Sequence, residues 1–315
     1  MNAELREKLA KLSHPIQGFE LDNDHLDMEP LREMVKGARI VALGEASHGT
    51  REHFQFKNRV IRFLVEEMGF HHFVIEASQW ECKNIDDYVM MGKGEKYAAL
   101  SSQRFWTWDT EEVMELIDWT RAHNLSCERG QECHFLGFDM QIIPNVLKHL
   151  EKLGELIPED SKERFSQAME AVLKTERGKK YPELEAFAYW LHGWVGANED
   201  LLKEKYGFQG SELFEEASRT LVQFIDMTQQ ADGNTSRDKS MAENIARLVD
   251  GLDPSEKVIL WAHDGHISKR FQWVTMGQLL AERYGSQYYA LGYGMWGGQF
   301  QSRLTDLDQM KVGPL

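Results

Sequence analysis

The chain has 315 residues, 42% of them hydrophobic and 28% charged, and 51 Asp and Glu against 36 Lys and Arg give a formal net charge of −15. That balance argues against a nucleic-acid binder or an anionic-membrane binder, because both rest on basic patches that release counterions or meet anionic lipid. No apolar run approaches the roughly 20 residues that span a bilayer, so the expected partner is a small molecule, neutral or cationic.

The length allows one large α/β domain, or one domain with a substantial helical insertion. The amino terminus, residues 1–8, alternates charges and lacks the apolar stretch of a secretory signal. Cys82, Cys127 and Cys133 are odd in number and form no CxxC. Both features point to a cytoplasmic chain in a reducing compartment.

In chain order, residues 4–12 form an amphipathic helix ended by His14-Pro15. A short helix over 31–35 stops at Gly37, and 39–43 is the first strand. From Thr50, a suitable N-cap, the apolar residues Phe56, Val60, Phe63, Leu64 and Met68 recur at helical spacing up to Gly69, a suitable C-terminal stop. Phe73-Val74-Ile75 reads as a central parallel strand buried on both faces. Helices follow over 86–91 and 110–123, then a strand over 134–138. Residues 144–250 are rich in Glu, Lys, Leu and Ala, with breaks near Pro158, Pro182 and Asp232-Gly233, and read as helices without strands. Strands return at 258–262 and 288–291 around a helix over 275–284.

This order predicts an α/β fold: an open, mostly parallel sheet with flanking helices and a large α-helical insertion. Residues 1–143 are the first part of the α/β catalytic domain, 144–250 the insertion, placed to act as a lid, and 251–315 the second part.

Chemistry concentrates where these strands end, which is where open parallel sheets collect ligands. Gly44-Glu45-Ala46-Ser47-His48-Gly49-Thr50 joins the first strand to its helix. Glu45 and His48, three residues apart, suit proton transfer: a carboxylate raises imidazole basicity and fixes its tautomer. The structural alternative is a histidine that caps the helix and a glutamate that bonds the turn. Glu76 directly follows an apolar strand and needs a partner, either in catalysis or in an ion pair with Lys57 or an arginine.

His263 and His266 form an HxxH after the fourth strand. With Glu45, His48 and Glu76 they make a set able to ligate Zn²⁺ or Mn²⁺, although no HExxH occurs, and a metal-free reading stands beside the metal one. Ser47 lacks the Gly-x-Ser-x-Gly context of a nucleophile elbow and reads as a turn residue. Neither GxGxxG nor GK[ST] is present, which argues against a nucleotide site. Cys127, Cys133 and His134 read as ordinary packed residues. Trp106 and Trp108 wall a pocket or pack in the core, and Tyr189, Trp190 and Trp194 carry the same two readings.

Taken in order, Gly44-Glu45-Ala46-Ser47-His48-Gly49-Thr50-Arg51-Glu52, Val74-Ile75-Glu76-Ala77, Trp106-Thr107-Trp108 with Glu112, Asp118-Trp119, Arg237-Asp238 with Met241-Ala242-Glu243-Asn244, and Trp261-Ala262-His263 with His266 resemble the erythromycin esterase family over almost the full chain. The resemblance implies hydrolysis of an ester, in characterised members the macrolide lactone, and with it antibiotic resistance. It implies water activated by His48 with no required cofactor or metal, Glu45 and Glu76 as the acidic residues around the base, and His263 and His266 as the later pair.

Lys57 stands where the family often has an arginine, nine residues after the base histidine; it keeps the charge without the bidentate fork, and is expected to meet substrate or oxyanion. Asp264-Gly265 replaces a common Asn-Ala and adds negative charge, which raises imidazole basicity or favours a cation. Members are longer at the carboxyl end, so residues 299–315 are expected to begin a segment cut short here, with a weakened sheet edge.

The leading expectation is a carboxylic ester hydrolase acting on a small-molecule ester or lactone. Glu45 orients His48, Glu76 holds the water, and His263, His266 and Lys57 stabilise the oxyanion or protonate the alkoxide, with Trp106 and Trp108 lining the pocket. The alternatives are a metal-dependent hydrolase holding a divalent ion through Glu45, His48, Glu76, His263 and His266, and a non-catalytic small-molecule binder. Oligomeric state is not legible in the sequence.

Overall fold

The structure is a computed structural model that describes residues 3–20, 25–230 and 233–302. Of the expected carboxyl-terminal segment, residues 303–315 lie outside the described residues.

Five strands form one sheet: β1 (Ile40–Leu43), β2 (His72–Ser78), β3 (His134–Asp139), β4 (Val258–Trp261) and β5 (Tyr288–Leu291). Their order is β3-β2-β4-β1-β5, and every pairing is parallel. β1, β2 and β4 are buried along their whole lengths, as the apolar runs of β1 and β4 and the Phe73-Val74-Ile75 run within β2 require of strands covered on both faces.

The register is what matters for function. Trp261 pairs with Leu43 on one side and with Ile75 on the other. Strand β4 therefore lies between β1 and β2. The strand expected over 73–75 runs on to Ser78, so Glu76 lies inside β2, one residue past its last pair with β4, and emerges at the level of Glu45 and His263, which follow the ends of β1 and β4.

Helices α1 (Ala3–Leu12) and α2 (Glu29–Met34) precede the sheet, and α3 (Arg51–Met68) follows β1. Thr50 is extended at the N-cap of α3, and Gly69 at its C-cap is left-handed with φ 70°, a conformation that costs glycine little. After β2 come α4 (Lys83–Met91), α5 (Lys96–Ser102) and α6 (Glu111–Ser126). Val41, Leu43, Phe73, Ile75, Phe135, Ile259 and Trp261 project from one sheet face into a core shared with α3, α4 and α6. Alternate residues, among them Ile40, Ala42, Val74, Val258 and Leu260, fill the core on the other face, as the period of two in a strand dictates.

Helices α7 (Pro144–Leu150), α8 (Lys162–Val172), α9 (Pro182–Ala197) and α10 (Glu199–Gln229, bent at Gly207) come next. They enclose a separate core drawn from residues 143–225, with Phe187, Leu191 and Phe214 at its centre. Helix α11 (Gly233–Gly251) does not belong to it. Met241, Ala242, Ile245 and Val249 of α11 pack on the sheet, beside α12 (Asp264–Ile267) and α13 (Met276–Tyr284). The helical stretch expected over 144–250 thus divides, because the apolar stripe of α11 faces the strands and that of α7 to α10 faces inward among themselves. Among the described residues no helix is long and apolar enough to cross a membrane.

Candidate active site

Glu45 leaves β1 with its carboxylate wholly buried, and every oxygen is matched. Oε1 accepts from His48 Nδ1; Oε2 accepts from Lys57 Nζ and, at 2.8 Å, from Trp261 Nε1. Burial pushes the acid toward its neutral form, but the charge of Lys57 and the hydrogen bond from His48 outweigh burial and hold it below the usual range. An ionised Glu45 can only accept, so Nδ1 of His48 carries the proton and Nε2 is the lone-pair nitrogen. The His48 side chain keeps 33% of its surface exposed. Its ring stands edge-on to Trp108 at 5.4 Å and 5.1 Å from the ring of His263.

His263 is the complement of that base. Its Nδ1 accepts from the backbone N–H of Gly265 at 3.1 Å, which places the ring proton on Nε2. Burial and the neighbouring His48 both lower its pKa, so the ring is neutral over a wider range than usual. Its own backbone N–H donates to Glu76 Oε2 at 2.8 Å. Two imidazoles thus meet, one presenting a lone pair and the other an N–H.

Glu76 is held from its other oxygen by Arg237, whose Nη2 donates to Oε1 at 2.5 Å. Burial opposes its ionisation, yet the charges of His266, Arg237 and His48 drive its pKa far down. Arg237 also donates to Asp139 at 2.7 Å and, from Nη1, to His266 Nε2 at 2.9 Å. On the far side of His266, Nδ1 lies 3.0 Å from each oxygen of Asp238. Burial works against the His266 imidazolium, whereas Glu76 and the bond to Asp238 raise its pKa. The facing guanidinium, itself only a donor, bonds Nε2 in the neutral ring, whereas in the imidazolium the same nitrogen faces Glu76 Oε1 at 3.3 Å. Asp238 accepts further from Trp273 Nε1 at 3.1 Å and Met276 N at 2.8 Å.

All five residues singled out at strand ends, Glu45, His48, Glu76, His263 and His266, therefore meet at the carboxyl rim of the sheet. Two other expectations need correction. Lys57 was expected to touch substrate, but its side chain has no exposed surface. It is enclosed by the rings of Trp261 at 4.2 Å, Phe54 at 5.5 Å and Tyr293 at 5.6 Å, and burial brings its pKa down to about 8 against the pull of Glu45. It acts behind Glu45. Trp108 is 2% exposed and donates from Nε1 to the Glu76 carbonyl at 2.8 Å, so it is a floor beneath His48 and not a pocket wall. Trp106, 39% exposed, does line the cleft.

Arg237, Asp238 and Asp139 were not assigned roles from the sequence. Their signals were present: Asp139 ends a strand, and Arg237-Asp238 opens a helix after Asp232-Gly233. Nothing local shows which carboxylates a buried arginine will join. Trp190 and Trp194 pack on the separate helical core, whereas Tyr189 is exposed and its hydroxyl donates to Asp226 at 2.9 Å. Asp264, half-buried with its pKa raised by burial, accepts from the Tyr293 N–H at 3.2 Å. Its carboxylate fills the space beside Gly44, where a Cβ would stand 1.8 Å from Oδ1; glycine is required by that approach.

Of the five candidate metal ligands, Glu45, Glu76 and His266 are engaged by other groups in this arrangement. Both oxygens of Glu45 and of Glu76 are bonded to cations or N–H donors, and both His266 nitrogens are engaged. Among the described residues no group of three or more His, Cys, Asp or Glu is disposed to hold a metal. Arg237 supplies the positive charge that joins Glu76 and Asp139.

A cavity of about 360 Å³ opens beside His48, bounded by Thr50, Arg51, Phe54, Trp106 and Gln301. Gln301 crosses the first turn, its N–H donating to the Gly49 carbonyl at 3.0 Å, so close that a Cβ on Gly49 would lie 1.6 Å from the Gln301 oxygen.

Comparisons with known proteins agree with this fold. Erythromycin esterase type II of Escherichia coli is 24% identical over 95% of this chain and 77% of its own length. Two solved structures are alike in fold: a Bacillus cereus protein with TM-score 0.77 and 26% identity, matching 93% of this chain and 74% of that one, and an erythromycin esterase mutant in its open conformation, with TM-score 0.63 and 23% identity over 87% and 74%. The profile described as erythromycin esterase matches residues 65–315, and the chain is accordingly a hydrolase belonging to the erythromycin esterase family.

Proposed function

We propose that this protein is a carboxylic ester hydrolase in which His48 activates water. The observation that carries the reading is the pairing of His48, its Nδ1 fixed on buried Glu45, with a His263 ring 5.1 Å away that presents an N–H.

Nε2 of His48 takes a proton from water as the water oxygen bonds to the ester carbonyl carbon. The carbonyl oxygen becomes an oxyanion, which accepts from His263 Nε2–H. As the tetrahedral species collapses, the carbon–oxygen bond to the leaving group breaks, and the His48 imidazolium returns its proton to the departing alkoxide. Glu45 stabilises the imidazolium formed midway. Glu76 acts through His263, whose backbone it anchors, and the Arg237, His266 and Asp238 network keeps Glu76 in place. Every step of this scheme is carried by the chain's own residues.

The site carries five carboxylates, Glu45, Glu76, Asp139, Asp238 and Asp264, against the cations Lys57 and Arg237. That excess disfavours anionic substrates and fits a neutral ester or lactone. A macrolide lactone is one such substrate, suggested by the names of the relatives. A cytoplasmic setting fits Cys82, Cys127 and Cys133, which are free thiols in the structure.

The test is His48→Asn, assayed on macrolides and simpler esters by mass spectrometry for a gain of one water. Wild type is expected to give product and the variant at least about 10²-fold less, with unchanged circular dichroism and melting. Hydrolysis by the variant at the wild-type rate would overturn the mechanism.

A further inference from the structure

Three turns meet at the carboxyl rim of the sheet, and Asp264 touches all of them. The turn after β1 carries Glu45 and His48, and the turn after β4 carries His263, Asp264 and His266. The chain after β5 runs through Gly292 and Tyr293 to Gln301, which bonds Gly49. The backbone N–H of Asp264 donates to the Glu45 carbonyl at 2.9 Å. Its carboxylate reaches the first turn again at Gly44, where a Cβ would overlap Oδ1. On the other side its oxygens share the Tyr293 N–H at 3.2 Å, and a Cβ on Gly292 would lie 3.6 Å from Oδ1. Among the described residues no cation bonds this carboxylate, so the fold uses its shape and its capacity to accept a hydrogen bond. Helix α12, which Asp264 opens, has four residues, a single turn too short to hold its own shape. The Tyr288 hydroxyl ties its far end by donating to the Ile267 carbonyl at 2.8 Å. Its near end, beside His263, is tied to the first and third turns by Asp264.

We propose that Asp264 is a positioning residue for the hydrolysis: its side chain braces the three turns and so holds His48 and His263 at the separation that admits the water and the carbonyl. The inference rests on the ester-hydrolase reading and adds the group that sets the spacing of its two imidazoles. Glu45 holds His48 from behind, and the Gly265 N–H does the same for His263. Asp264 bonds the carbonyl of the first and is the chain neighbour of the second. A small shift between these turns misaligns the base and the oxyanion donor together, which slows the reaction without removing any group that takes part in it.

The test measures kcat, KM and melting temperature, with 1-naphthyl acetate as substrate, in Asp264→Ala, Asp264→Asn, Gly44→Ala and the double variant Gly44→Ala/Asp264→Ala. Asp264→Ala is expected to lower kcat about tenfold with KM within about twofold, and Asp264→Asn, equal in shape and still an acceptor, to recover most of that loss. Gly44→Ala should also lower kcat, by pushing the turns apart. In the double variant the added and removed atoms offset, so kcat should rise above that of Gly44→Ala, a recovery that a general loss of stability does not give. Asp264→Ala at the wild-type kcat, Asp264→Asn as slow as Asp264→Ala, or losses that simply add in the double variant each overturn the proposal. Should wild type hydrolyse neither this ester nor a macrolide, the hydrolase reading falls separately, and the brace is read from nitrogen NMR of labelled histidines. A His263 protonated at Nε2 in wild type, mixed between tautomers in Asp264→Ala and restored in Asp264→Asn, then supports it. A His263 signal unchanged in Asp264→Ala overturns it.

Discussion

Lys57 shows how one residue can control a reaction from behind the groups that carry it. Its ammonium lies in a box of aromatic rings and meets solvent nowhere, so its effect passes through Glu45 to the Nδ1 proton of His48. With a pKa of about 8, it loses its charge on the alkaline side of neutrality, and Glu45 then keeps only His48 and Trp261. Activity is expected to fall as pH rises through about 8. In Lys57→Arg the guanidinium stays protonated, so that limb of the kcat profile should vanish or move well upward. Lys57→Met should lower kcat by about 10²-fold or more at pH 7, since Glu45 would be buried without its counter-charge. Steady-state pH profiles decide the matter. An alkaline limb that stays put in Lys57→Arg would assign the ionisation to another group.

At the scale of elements, the decisive placements are β4 between β1 and β2, and α11 against the sheet. Insertion of β4 sets His263 between Glu45 and Glu76. Helix α11 brings Arg237 and Asp238 from a stretch that otherwise reads as part of a helical insertion. Arg237 joins Glu76, Asp139 and His266 with a side chain only 11% exposed. Arg237→Met would leave two buried carboxylates without their shared cation, a loss of about 3–5 kcal/mol by the usual cost of breaking a buried pair. Urea unfolding followed by circular dichroism should show a lower midpoint with a similar slope. Arg237→Lys, which keeps charge but cannot reach three partners at once, should fall between. A change within about 0.5 kcal/mol for Arg237→Met would mean that the network is not a structural tie.

Across the whole molecule, a core on each face of the sheet and a separate core among α7 to α10 share one chain, and both the sheet rim and the helical core carry groups that resist protonation. Glu45 and Glu76 titrate below their ordinary value of 4.5 in the folded protein. Their stabilisation is therefore complete above about 4.5 and is lost as pH falls toward the folded values. In the helical core, His149 lies between the rings of Trp80 and Phe214. Burial, aided by Lys152 and Lys83, lowers its pKa from 6.5 to about 4. The unfolded chain binds that proton first, so acidification from 6.5 to 4 favours unfolding. Melting temperatures should decline from about pH 6.5 downward, and His149→Phe should reduce the decline between pH 6.5 and 4 while leaving the steeper loss below 4.5. Equal declines in both proteins would remove His149 as a cause.

What the sequence determined alone was whatever depends on neighbours along the chain. Unbroken apolar runs made buried strands, the 3.6-residue recurrence from Phe56 to Met68 made α3, and Thr50 and Gly69 set its ends. The position of Glu45, His48, His263 and His266 just past strand ends, and of Glu76 directly after the apolar run Phe73-Val74-Ile75, was likewise local information, enough to place them on one rim of a parallel sheet. Tertiary structure alone decided which strand lies beside which, and so which charges share a carboxylate. Lys57 turned inward to Glu45, Glu76 took Arg237 from a helix 161 residues away, and Trp108 became a floor. Periodicity and turn chemistry act over a few residues and survive in the one-dimensional pattern. The partner of a buried charge is chosen by desolvation and Coulomb energy over a few ångströms of space, and residues at that distance can lie anywhere in the sequence.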